Sequence, residues 1–154
     1  MKKRSLYLLL LFGIFLSACF TVKFITGYDQ VLDQTVNKMK KDFNLHFIKL
    51  SRTIQDSDPG NQQFEKFLDY YDNLEADLIT IKDRTKFLDG KAGIVKQQIQ
   101  NLDSAFRVFM NMHKGGLPDR TNDDRHDLRD SVNSAIDAVV ILQEALKTTG
   151  KSNQ

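Results

Sequence analysis

The sequence predicts an all-α fold, an antiparallel up-down four-helix bundle, on three observations. Apolar residues recur by threes and fours along four long segments, the period of an amphipathic helix rather than a strand. Gly and Pro are nearly absent from the interiors of those segments, as long helices require. Between them lie clusters of turn-forming residues, short enough to return each helix antiparallel to the last. The chain has 154 residues, 41% hydrophobic and 27% charged, with no Trp, two Pro and eleven Phe. That length closes one core.

The first segment, 26 to 55, carries Tyr28, Leu32, Val36, Met39, Phe43, Phe47, Leu50 and Ile54 on one stripe. His46 stands alone beside it and reads as structural. The run Asp56-Ser57-Asp58-Pro59-Gly60-Asn61 ends the helix, with Asp58 before Pro59 fitting an N-cap and first-turn proline for the next one. The second stripe is Phe64, Phe67, Tyr71, Leu74, Leu78, Ile81, Thr85 and Leu88, with Tyr71 inward and Tyr70 toward a flank. Asp89-Gly90-Lys91-Ala92-Gly93 follows, then Val95, Ile99, Leu102, Phe106, Phe109 and His113. A polar loop, Lys114 to Thr121, leads to a last stripe of Leu128, Val132, Ala135, Val139, Leu142 and Leu146, which stops near Gly150. Asp123 and Asp124 in its first turn and Lys147 near its end suit the helix dipole.

One ambiguity remains in the pattern. Leu88, Ala92, Val95 and Ile99 keep helical phase straight through Gly90 and Gly93. The alternative is therefore three helices, with the second and third segments fused into one, at about 1 kcal/mol for each interior glycine. A turn is preferred because four-helix closure buries both seams within one chain. Helices of ~22 to 30 residues would span ~33 to 45 Å, a rod with both ends of the chain at one end.

The amino-terminal segment has a separate logic. Lys2, Lys3 and Arg4 precede an apolar run from Leu6 to Phe15, which ends in Leu16-Ser17-Ala18-Cys19. Charge followed by a greasy stretch is the secretory signal pattern. The four residues Leu16, Ser17, Ala18 and Cys19 resemble the lipobox of bacterial lipoproteins. That resemblance implies diacylglycerol on the Cys19 thiol, cleavage just before it, and commonly a further acyl chain on the freed amine. Two or three chains anchor stably where one is marginal. The competing reading is an uncleaved anchor from Leu6 to Ile25, broken only by Lys23 and long enough to span a bilayer. The expected organisation is a signal peptide over 1–18, a lipidated tether over 19–25, the bundle over 26–150 and a disordered tail over 151–154. Phe20, where an Asp would favour inner-membrane retention in enteric-type lipoproteins, points to the outer membrane facing the periplasm in a Gram-negative host, otherwise to the outer face of the cell membrane.

Composition narrows the function. Lys2, Lys3 and Arg4 account for three of the 22 basic residues; without them 19 stand against 20 acidic ones, a net charge of about −1. No basic field remains for nucleic acid. A single Cys excludes an internal disulfide, paired-cysteine zinc motifs and covalent haem attachment. Di-iron bundles use Glu-x-x-His pairs, and none of Glu65, Glu75 and Glu144 has a His three residues on. No nucleophile elbow or phosphate loop occurs, so no enzyme, catalytic residue or cofactor is expected. His113, His126 and Asp123, with neighbouring carboxylates at the distal loops, form a weak candidate metal set. Met39, Met110 and His113 near core phase are weak candidates for haem, and more simply core filling. The expectation is a non-enzymatic envelope lipoprotein that binds another envelope component through the distal cap, Leu117 to Asp130, or an exposed aromatic such as Tyr70 or Phe87. The alternatives are a hydrophobic-ligand, haem or metal-binding bundle, and a small immunity or exclusion lipoprotein.

Overall fold

The computed structural model describes residues 28–54, 63–88, 92–115 and 122–151. The signal segment with Leu16 to Cys19, the tether, the Asp58–Pro59 turn and the loop residues 116–121 lie outside them, as does the side chain of Asp123. Four α-helices make the bundle: α1 Gln30–Ile54, α2 Leu68–Thr85, α3 Ala92–Lys114 and α4 Asn122–Lys151. A single 3-10 turn, Phe64–Phe67, precedes α2. The helices close in a ring, α1 on α2, α2 on α3, α3 on α4 and α4 back on α1. Inter-helix ties give the direction. Asp29 meets Arg84 while Lys38 meets Asp77, Tyr71 meets His113 while Lys82 meets Asp103, and Asp29 meets Gln143 while Lys40 meets Asp137, so each neighbour runs opposite to the last.

The third stripe sinks as the sequence predicts, and so does the first from Leu32 to Leu50, while Tyr28 is half-buried. Leu32, Val36, Met39, Phe43, Phe47 and Leu50 of α1 are buried, and so are Val95, Ile99, Leu102, Phe106, Phe109 and His113 of α3. Phe43 sits at their junction, edge-on to Phe106 at 5.6 Å and to Phe109 at 5.1 Å between ring centroids. That T-shaped geometry sets the positive ring edge on the negative face.

Two local expectations are corrected, and the preferred separation of the second and third segments stands. Phe64 and Phe67 lie in the 3-10 turn rather than on an α-helical stripe, and both are only half-buried. Gln63 makes no side-chain capping bond there, and a tight i to i+3 turn satisfies orphan amides in place of a cap. The fused-helix alternative is ruled out because α2 stops at Thr85, ahead of both glycines. Its end is closed by tight bonds, Lys86 N–H to Asp83 C=O, Phe87 N–H to Arg84 C=O and Leu88 N–H to Thr85 C=O. In α4 the buried seam is Val132, Ile136, Val139 and Gln143, while Ala135 and Leu142 are half-buried. Hydropathy favours Leu142 over Gln143, but Gln143 is fully buried because its Oε1 accepts the backbone N–H of Asp29 at 3.1 Å.

That bond belongs to a knot joining α1, α2 and α4. Asp29 caps α1, its Oδ1 accepting the amides of Val31 at 2.9 Å and Leu32 at 3.0 Å. Its Oδ2 takes two bonds from Arg84, 2.8 Å from Nε and 2.5 Å from the terminal nitrogen. Here the chain enters the bundle, beside the ends of α2 and α4. Below, this is the proximal end, and the opposite end is distal.

Candidate functional site

Toward the distal end, α1, α2 and α3 each contribute one polar ring to the core. His46 falls three residues after Phe43 and four before Leu50, so helical spacing turns it inward. Tyr71 opens the α2 seam and His113 closes that of α3. All three are buried, at 3%, 4% and 3% exposure. The Tyr71 hydroxyl lies 3.3 Å from His46 Nε2 and 2.7 Å from His113 Nδ1, bridging the two imidazoles. A hydroxyl has one proton to donate, so one ring accepts it while the other donates its own N–H to the phenol oxygen. The bridge therefore requires complementary tautomers of the two imidazoles, and it joins three different helices.

Aromatic rings enclose the bridge. Tyr70 lies flat on His46, 3.8 Å between centroids and 3° from parallel. Phe67 meets His46 edge-on at 5.0 Å, and Phe64 stacks on Tyr71 at 4.5 Å. Both rings also contact His113. The 3-10 turn is thus the lid of this cluster, which explains why Phe64 and Phe67 have left the α-helical stripe.

This environment holds the His46 imidazole and the two phenols neutral. Burial, then the nearby His113 and Lys49, push the His46 imidazole down from 6.5 to about 3. Burial pushes both the Tyr70 and Tyr71 phenols up, helped by Asp42 for Tyr70 and by Tyr70 for Tyr71. The Tyr70 hydroxyl is itself buried without a hydrogen-bond partner among the described residues. Its ring covers His46 from the flank of α2, so Tyr70 is half-buried there and is not the exposed aromatic expected.

Over this floor lies a groove of about 550 Å³ between α1 and the start of α2. Leu45, Phe67 and Tyr70 supply apolar lining, and Lys38, Lys49, Lys66, Asp42 and Asp69 supply charges of both signs. Leu45 is 48% exposed on its wall. The combination of an apolar floor and a mixed-charge rim is the usual anatomy of a surface that receives another molecule.

The candidates from sequence separate. His113 faces Tyr71 and His46, so His46 does not stand alone. His126 is exposed at the start of α4, its ring 6.1 Å from Phe47. Among the described residues no group of three His, Cys, Asp or Glu side chains is placed to hold a metal ion. Met39 is buried among core side chains. Phe87 is the expected exposed aromatic, at 76%. What the sequence reading missed is the bridge and the groove; helical phase marked His46 and His113 as inward-facing, but only helix register brings them together. Compared with family models, with curated proteins and with solved structures, the chain matches none.

Proposed function

We propose that this chain is a lipid-anchored envelope protein that holds a helical rod at a membrane surface and offers its distal groove to another envelope protein. The observation that carries the reading is the order of the amino-terminal signals: Lys2-Lys3-Arg4, the apolar run from Leu6, then Leu16-Ser17-Ala18-Cys19. Small residues before the cysteine suit a peptidase cleft, and the thiol is the group that forms a thioether readily. Among the described residues no helix is long and apolar enough to cross a membrane, so the anchoring role falls to the amino-terminal segment. The mechanism is positional: confinement to a surface raises the effective concentration of the groove for a partner in the same plane. The groove supports this reading because its charges lie around an apolar floor, which gives a partner both area and orientation.

The test is photocrosslinking in intact cells, with the reactive group placed at Leu45 on the groove wall or at Ile141, which is exposed on α4. A discrete adduct from the Leu45 position, absent from the Ile141 position and lost with Cys19→Ala, is the expected result. Identical patterns from both positions would remove the groove from the proposal. Mass spectrometry showing Met1 retained and the Cys19 sulfur unmodified would remove the anchor.

A further inference from the structure

We infer that the proximal end of the bundle docks directly on the lipid surface through Phe87 and Ile94, an inference that rests on the anchoring role of Cys19. Among the described residues Phe87 is the most exposed large hydrophobic side chain, at 76%, and Ile94, in the first turn of α3, is 59% exposed. Single exposed apolar residues are common and need no explanation. These two lie on either side of the α2–α3 connection, at the end where the chain enters the bundle.

Arg84, three residues before Phe87, is bonded to Asp29 at the start of α1. Lys147 near the end of α4 reaches Asp33 at 4.0 Å and sits 5.7 Å above the Tyr28 ring. The α2–α3 connection and the end of α4 therefore flank the point where the chain enters the bundle. Tyr28 lies nine positions after Cys19, a stretch that spans at most about 30 Å at full extension. An acylated Cys19 holds this end, and no other, close to the acyl chains.

Phe87 is also presented rather than left loose. Its amide is bonded to the Arg84 carbonyl at 3.2 Å, within a turn whose neighbouring amides are bonded too. Next to it, Lys86 is exposed and paired with Asp83 at 2.6 Å. That pair compensates itself, so Lys86 adds no net basic attraction to anionic headgroups. The force argued for Phe87 and Ile94 is burial of apolar side chains at the headgroup boundary. The lipid surface is the occupant that fits, because it is the one that the tether brings to this end.

The chain's lack of Trp makes the test direct. Phe87→Trp and, as a distal control, Ile48→Trp each introduce the sole indole at an exposed position of a folded helix or turn. Each lipidated full-length protein is reconstituted into vesicles of phosphatidylethanolamine and phosphatidylglycerol, with and without brominated acyl chains. The F87W emission is expected to shift to the blue on reconstitution, to be quenched by bromolipid and to resist high salt. The I48W emission should do none of these. Vesicle-bound F87W that stays unquenched, with the emission of a water-exposed indole, would overturn lipid docking while leaving the anchor intact. A blue shift without bromolipid quenching would overturn it in favour of contact between copies. Protein that fails to float with vesicles would overturn the anchor itself, and the docking with it.

Discussion

Acidification should destabilise this bundle in part through one identifiable side chain, His46. Its imidazole is buried at 3% exposure against Tyr70 and Tyr71, with His113 and Lys49 as the nearby cationic or ionisable neighbours. The folded-state pKa is pushed down to about 3 from 6.5. The sign follows from linkage. A group that binds its proton less readily when folded lets the unfolded chain take up protons first, so stability is fully present above pH 6.5 and falls as pH drops towards the folded value. Within that window the slope is about 1.4 kcal/mol per pH unit, so lowering the pH from about 6.5 to about 4.5 removes about 2 to 3 kcal/mol. Out of a typical total of about 5 to 15 kcal/mol, that is a large fraction. The assay is urea unfolding followed by circular dichroism at a series of pH values, on a soluble form beginning at Phe20. Carboxylates contribute in the same range, so the informative quantity is the difference from His46→Phe, which keeps a ring against Tyr70 but cannot titrate. The difference in stability between the two proteins should shrink by about 2 kcal/mol or more between those pH values. Parallel curves for the two proteins would refute the argument, by showing that His46 is not the proton acceptor.

The adjacent tyrosines should respond in opposite directions. Tyr70→Phe removes a buried hydroxyl that has no partner among the described residues, and should raise the unfolding free energy by about 1 kcal/mol. Tyr71→Phe takes the bridging oxygen from both His46 and His113, and should lower it by about 1 to 3 kcal/mol, read from the shift in urea midpoint. At the other end, Arg84→Ala should cost about 1 to 2 kcal/mol, because the Asp29 carboxylate keeps its two amide bonds but loses its cation. Hydrogen exchange should then accelerate at the Val31 and Leu32 amides before it does so in mid-helix.

What the sequence disclosed depended on how much side-chain chemistry each position carries. The stripes of α1 and α3 are legible because their seams are almost purely apolar, and burial follows hydropathy. In α4 the rule misplaces the seam. Val140 and Leu142 are as apolar as Val139, while Gln143 becomes a core residue only once the Asp29 amide is positioned to meet its Oε1. The end of α2 illustrates the same limit. Apolar phase continues past Thr85, yet the helix stops there, because folding back lets α3 cover the α2 seam. The histidine bridge was half visible: spacing turned His46 and His113 inward, but hydropathy has no means of matching the level of one helix to another. For Tyr70, an amphipathic residue beside a core tyrosine, helical spacing predicts the flank position but not the His46 ring that stacks on it.

Apolar stripes have a further property that makes the polar contacts necessary. A seam that steps by three and four looks nearly the same after a shift of seven residues, so apolar packing alone leaves the sliding of one helix along another weakly determined. Directional bonds break that degeneracy. Between α1 and α4, Gln143 meets Asp29, Asp137 meets Lys40, and Asn133 with Arg129 meets Asn44. A slip of one heptad would preserve most apolar contacts while withdrawing Gln143 from the Asp29 amide, and an unpaired buried polar group costs about 1 to 3 kcal/mol. Between α2 and α3 the Tyr71–His113 bond, together with Arg107 on Glu75 and Lys82 on Asp103, selects one level in the same way. These bonds add little net energy each, because their groups were solvated before folding. Their effect lies in the gap they open between the native register and its neighbours. The same fixed register holds Phe87 beside the entry of the chain and closes the distal groove over His46, so both proposed surfaces depend on contacts that hydropathy does not encode.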